Sequence, residues 1–164
     1  MAKLTPLVRQ DLRWTDSAPI ALVGRATTTA TPADVFAELA DHERWPEWFP
    51  NVKHVEVLGP ATGVGARRRV AIPGSVVEEE FIAWEPGARW AFTGTAARPG
   101  FLRSIVEDCH LIPIGDGGTA ITYTMYLQPA PWARPLLAVA KIGVQKGLQQ
   151  GMENLAARAA KRSN

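Results

Sequence analysis

The sequence predicts an α+β fold in which an antiparallel sheet of seven strands is followed by one long helix. Three observations predict it. Runs at about 20–29, 52–58, 66–72, 75–84, 89–95, 101–112 and 119–128 are rich in β-branched and aromatic residues and are bounded by Gly, Pro and Asp turn signals. Between about Trp132 and Ala160 the apolar period changes to 3.6. The chain has 164 residues, 46% of them apolar, and a domain of that size buries about 68–70% of its unfolded surface. That is enough for one core without metal or disulfide staples.

Residues 1–19 mix polar, charged and proline positions without a sustained period and read as an N-terminal arm, so residues 20–164 form a single domain. After the first strand, Thr31-Pro32-Ala33-Asp34 supplies an N-cap, a proline at the first helical position and an acid in the first turn. The short helix it starts runs to about Ala40 and buries Val35, Phe36 and Leu39. Asp41-His42-Glu43 at its end is expected to be solvated. Trp45-Pro46-Glu47-Trp48-Phe49-Pro50 breaks the helix and gathers aromatics in a connector with room for one more helical turn.

The turns then set strand register. A tight hairpin at Pro73-Gly74 places Arg67, Arg68 and Arg69 opposite Glu80, Glu79 and Glu78. One face of this pair carries Ala66, Arg68, Val70, Ile72, Val77, Glu79, Phe81 and Ala83. Being mainly apolar, it is the inner face. A four-residue turn at Glu85-Pro86-Gly87-Ala88 sets Trp90 opposite Ala83 and Phe92 opposite Phe81, adding two rings to that face. The hairpin around Gly115-Asp116-Gly117-Gly118 leaves its register open, because Pro113 cannot donate to a ladder and favours a bulge. Ile121, Tyr123, Met125 and Leu127 form the apolar face of the last strand. On the strand before it, either Ile105, Glu107, Cys109 and Leu111 or Val106, Asp108, His110 and Ile112 turn inward; the Glu107 set is the more apolar.

On the terminal helix Leu137, Val144, Leu148, Met152, Leu155 and Ala159 make one stripe. Leu148 and Met152 lie on one flank of it, and Ala140, Gly147 and Gly151 on the other. Two interior glycines cost about 1 kcal/mol each relative to alanine. Close approach of the sheet, or room for a bound molecule, would compensate.

Composition excludes several functions. Lys and Arg number 18 against 16 Asp and Glu, a formal charge of +2, spread along the chain with no patch that would recruit nucleic acid. The lone Cys109 rules out an internal disulfide and a Cys-based zinc cluster, and points to a reducing cytoplasm. No apolar segment follows Lys3, Arg9 and Arg13 as a signal peptide requires, and stretches such as Leu136 to Ala140 are too short for integral membrane association. His42, His54 and His110 have no metal-ligand spacing. Gly63-Val64-Gly65-Ala66-Arg67-Arg68 lacks the third glycine of a dinucleotide fingerprint and any Gly-Lys-Ser/Thr, so no cofactor is expected and a tight turn accounts for it.

The order of elements, with Thr31-Pro32-Ala33-Asp34-Val35-Phe36, Trp45-Pro46-Glu47-Trp48, Gly63-Val64-Gly65, Trp84-Glu85-Pro86 and Gly118-Thr119, resembles the START/Bet v 1-like (SRPBCC) superfamily, in particular its bacterial polyketide cyclase/dehydrase branch, over residues 20–160. The resemblance implies a helix-grip fold. In it a curved sheet wraps around the C-terminal helix, two short helices follow the first strand, and a tunnel holds an apolar small molecule. It supplies no activity, since the superfamily includes carriers, receptors and cyclases.

The candidate ligand-binding residues are Arg68, Glu79, Phe81, Trp90, Phe92, Glu107, Tyr123, Met125, Gly147 and Gly151, with Trp45, Trp48 and Phe49 as a lid or as core packing. Arg68 and Glu79, opposed on the inner face, must pair, as a neutralised ion pair or as a ligand anchor. Glu107 beside Tyr123 could be an acid for enolisation, while Cys109 reads as a small buried hydrophobe. The leading function is binding or transport of an apolar or aromatic small molecule such as a lipid, quinone or polyketide. A cyclase or dehydratase, and a protein-interaction module with a vestigial cavity, are the alternatives.

Overall fold

The computed structural model describes residues 3–162. Its strands are β1 (Thr5–Pro6), β2 (Ile20–Thr28), β3 (His54–Val57), β4 (Arg67–Ile72), β5 (Ser75–Glu85), β6 (Arg89–Arg98), β7 (Leu102–Ile114) and β8 (Gly118–Pro129). Two α-helices, α1 (Pro32–Ala40) and α2 (Arg134–Arg162), are joined by 3-10 turns at Leu12–Ser17, His42–Glu47 and Pro131–Ala133. Pairing is antiparallel throughout, in the order β2-β8-β7-β6-β5-β4-β3, with β1 added beside β6. This is the helix-grip arrangement, with an eighth, two-residue strand that the sequence did not announce.

That eighth strand gives the arm a structural task. Ladder pairing of β6 with β7 ends at Thr93↔Val106, and the arm enters where the two strands part. Leu7 N donates to Thr95 O on one side and Val8 N to Arg103 O on the other, at 3.0 and 2.8 Å. Leu7 is buried, and Gly94 leaves it space, because a Cβ there would lie 2.8 Å from Leu7 Cδ1. Backbone groups that would otherwise be orphaned are thereby paired.

Helix α1 begins as its cap dictates, with Thr31 Oγ1 accepting from Asp34 N at 3.2 Å. Helix α2 is gripped along one edge of the sheet. Gln145 bonds both the N–H and the C=O of Val23, and Gln149 does the same for Arg25. Four residues of helix rise about 6 Å, and two residues of strand span about 6.8 Å, so glutamines at i and i+4 match alternate residues of β2. They complete the ladder of an edge strand and protect it from further pairing. Contact is close: a Cβ on Gly24 would meet Met152 Cγ at 2.8 Å.

The Pro73-Gly74 hairpin has the expected register, Arg68↔Glu79 and its neighbours. At the next turn Phe92 does oppose Phe81, but Trp90 opposes Trp84 and Ala91 opposes Ala83. The register shift between Phe81 and Ala83 inserts Ile82 and reverses the alternation. Ala83 therefore leaves the inner face, and Trp84 turns in to meet Phe36 and Phe81 edge-on. In the last hairpin Pro113 pairs with Thr119 without a bulge, and Cys109↔Tyr123 and Glu107↔Met125 place the Glu107 set inward. Asp108 and His110 face outward, where Arg89 bonds both Asp108 oxygens at 3.0 and 2.8 Å and His110 Nε2 lies 3.1 Å from Oδ2.

Candidate functional site

Because α2 is tied to β2, it stands away from β5 and β7 along its other flank. A hollow of about 750 Å³ lies there. Its walls are apolar, among them Val70, Val77, Ile105, Met125 and Leu127, with Leu137, Val144 and Leu148 from the helix. A Cβ on Gly143 or Gly147 would meet nothing within 4 Å. The open flank thus runs along the small residues Ala140, Gly143 and Gly147, all of which line the hollow. Gly151 is different: Phe49 and Pro50 cover it, with Phe49 Cδ2 at 3.4 Å from a Cβ built there. Its bareness serves packing, as does that of Gly24.

Of the ten candidate ligand-binding residues, Arg68, Glu79, Glu107, Met125 and Gly147 line the hollow. Phe81, Trp90, Phe92 and Tyr123 do not reach its surface. Phe81, Trp90 and Phe92 pack behind it around the buried guanidinium of Arg68, 1% exposed, and Tyr123 is held there by Glu107. The Arg68 Cζ lies 4.0 Å from the Trp45 ring centroid, 4.9 Å from Trp90, 5.2 Å from Phe92 and 5.5 Å from Phe81. Such cation–π contacts gain strength when desolvated. Of the expected lid residues, Trp45 and Phe49 stack on each other at 5.4 Å and form one wall, whereas Trp48 packs against Trp45 away from the hollow.

The polar groups form two hydrogen-bonded sets, one around Arg68 and one at Glu107. Arg68 Nε donates to Glu79 Oε2 at 2.6 Å, and Arg68 Nη1 lies 3.2 Å from His42 Nδ1. His42 Nε2 lies 3.1 Å from Ala61 O, so Nε2 carries the proton and Nδ1 accepts from Arg68. Burial, then the charge of Arg68, lowers the His42 pKa to about 4. This corrects the expectation that His42 is solvated: the 3-10 turn after α1 folds it inward, stacked on Phe81 at 5.2 Å. Across from it the Tyr123 hydroxyl donates to Glu107 Oε2. Burial, reinforced by the negative charge of Glu79, pushes the Glu107 carboxyl up to about 8. Burial likewise pushes Glu79 up, against the pull of Arg68, and keeps the Tyr123 phenol protonated. It also raises the Cys109 thiol, so no thiolate is available for chemistry near neutral pH. Among the described residues no cluster of three His, Cys, Asp or Glu side chains could hold a metal ion.

A family model described as polyketide cyclase/dehydrase and lipid transport matches residues 20–160. The chain belongs to the polyketide cyclase/dehydrase and lipid transport family. Relatives in Mycobacterium tuberculosis and Mycobacterium bovis, both uncharacterized proteins, are 33% identical over 152 residues, covering 92% of this chain and 90% of theirs. Among solved structures, the Zhui aromatase/cyclase from Streptomyces sp. R1128 superposes with a TM-score of 0.73 at 16% identity, covering 88% of this chain and 96% of that one. A START superfamily protein from Mycobacterium smegmatis gives a TM-score of 0.62 at 13% identity, covering 82% and 98%. At such identities the structures establish the START/Bet v 1-like fold and nothing finer.

Proposed function

We propose that the protein binds or carries an uncharged apolar or aromatic small molecule, of lipid, quinone or polyketide type, in the hollow between α2 and the sheet. The observation that carries this reading is the unfilled flank at Gly143 and Gly147 facing apolar walls. Apolar walls with a few polar groups are what small-molecule sites require. The charge inventory favours an uncharged ligand. The single guanidinium in the wall is already committed to Glu79 and His42, and the second carboxyl, Glu107, holds its proton below about pH 8. A carboxylate entering this site would find no free positive charge. A ketone or hydroxyl would find Glu107 beside Arg68. The lone, buried Cys109 fits action in a reducing cytoplasm.

Binding of matched probes checks the reading: 1-dodecanol, dodecanoic acid and a naphthoquinone, followed by quenching of tryptophan emission from Trp45 in the wall. The uncharged probes are expected to bind more tightly than the acid, and Gly147→Phe is expected to weaken them at least about tenfold while the protein stays folded. Absence of binding by all three would contradict the proposal.

A specific observation also supports an enzymatic reading. Glu107 is a carboxylic acid with its pKa near 8, held by Tyr123 at the hollow's wall, which suits proton transfer to an enolising carbonyl in a cyclase or dehydratase. Under that reading Glu107→Gln abolishes turnover and leaves binding intact. A protein-interaction role with a vestigial cavity draws no support from a hollow of this volume.

A further inference from the structure

The N-terminal arm belongs to the sheet that floors the hollow. Where β6 and β7 part, it lies between them, with Thr5 opposite Ala97 and Pro6 opposite Ala96 on one side and the Val8 N–H on Arg103 O on the other. The strands around it supply walls. Leu102 and Ile105 of β7 line the hollow, as does Val77 of β5, the strand next to β6.

Gly94 shows which way the buried side chain of the arm, Leu7, points. It pairs with Glu79, which lines the hollow, so both residues face inward. A Cβ on Gly94 would lie 2.4 Å from Ile105 Cγ2 and 2.8 Å from Leu7 Cδ1. Leu7 and Ile105 therefore share the space that this glycine leaves bare, on the hollow's side of the sheet. Ile105 lines the hollow and Leu7 does not, so the leucine sits behind the wall residue and props it. Interiors pack densely, and truncating a buried side chain leaves space into which neighbours relax. Removing methyls from Leu7 lets Ile105 sink and widens the hollow, whereas a methyl added at Gly94 lifts Ile105 and narrows it. Other contacts of the arm lie on the outer face. Gln10 N donates to Thr93 Oγ1 at 3.1 Å, Gln10 Nε2 donates to Ser104 Oγ at 3.3 Å, and Arg9 pairs with Glu80. They hold the arm in place when Leu7 is changed.

We propose that the arm sets the width of the apolar ligand that the hollow accepts, with Leu7 as a positioning residue acting through Ile105. The inference rests on the ligand-binding reading and adds what that site selects. Its test compares two alcohols of equal carbon count, 1-dodecanol and the branched 2-butyl-1-octanol, followed by quenching of tryptophan emission. Leu7→Ala is expected to raise the affinity ratio of branched to straight isomer about fourfold, the worth of one buried methylene. Gly94→Ala should lower it by a similar factor. Val8→Ala, at an exposed position whose backbone bond is kept, should leave the ratio at its wild-type value. Loss of stability alone weakens both isomers together, so opposite movements of the ratio report width. Should Gly94→Ala not fold, Leu7→Ala still decides. A ratio unmoved by Leu7→Ala, or moved the same way by both variants, would overturn the proposal while leaving ligand binding intact. Failure of both alcohols to bind the wild type would instead contradict the ligand-binding reading, and the inference would fall with it.

Discussion

Glu107→Gln is expected to stabilise the protein near neutral pH by up to about 3 kcal/mol, because it removes the cost of holding a titratable carboxyl in an apolar wall. The sign follows from the direction of the shift. The folded protein keeps the Glu107 proton up to about pH 8, whereas the free carboxyl releases it near 4.5. Between those values the folded state binds more protons than the unfolded state, so stability that is intact below about 4.5 is lost as pH rises towards 8. His42 acts in the opposite sense. Its folded pKa near 4 lies below the ordinary 6.5, so its contribution is intact above 6.5 and is lost as pH falls towards 4. Glu79, also raised by burial, acts in the same sense as Glu107. Both His42 and Glu79 remain in Glu107→Gln, so the difference between the two proteins isolates Glu107. The advantage of Glu107→Gln over the wild type should therefore grow from about pH 4.5 and level off near 8. Urea denaturation across this pH range reads that difference, and superimposable profiles would refute the burial of an ionisable Glu107.

The second large effect is at Arg68. Arg68→Met should cost about 3–5 kcal/mol, because it leaves the buried Glu79 without its cation, even though methionine fills much of the same volume. The double variant Arg68→Met with Glu79→Leu should recover most of that loss, as replacing both members of a buried pair by apolar residues is often neutral. The cycle also separates the two readings of the pair. If Arg68 and Glu79 only neutralise each other, the double variant binds uncharged probes as the wild type does. If they anchor the ligand's polar end, it folds but binds them more weakly. Wild-type stability in Arg68→Met alone would contradict the burial of the pair.

Much of this site could be read from sequence where short turns leave the backbone no freedom. The two-residue turn at Pro73-Gly74 sets Arg68 against Glu79, and a guanidinium on an apolar face must find a carboxylate. Bulges follow no such rule. The extra residue at Ile82 brings Trp84 inward in place of Ala83, and nothing in the local pattern marks it. His42 was missed for a tertiary reason: its polar neighbours suggest solvent, and only the packing of the 3-10 turn against Phe81 draws it inside. The hollow was legible in outline, from the small residues on one flank of α2. Its lining was less so, because sequence gives which face a ring occupies and not how far helix and sheet stand apart. The rings of Trp90, Phe81 and Phe92 went to the Arg68 guanidinium, and the walls fell to aliphatic residues such as Ile105 and Leu127. The order of the arm was also hidden, since the gap between β6 and β7 that it closes is created by strands far along the chain.

The most direct test of a ligand-holding hollow is native mass spectrometry of the full chain purified without detergent, beside the same chain carrying Gly147→Phe. The wild type should retain a discrete uncharged apolar molecule that organic solvent extracts, and the Gly147→Phe protein, equally folded, should emerge without it. Wild-type protein free of any bound molecule and indifferent to added lipids, quinones and polyketides, or the same molecule carried equally by both proteins, would contradict a binding role for the space beside α2.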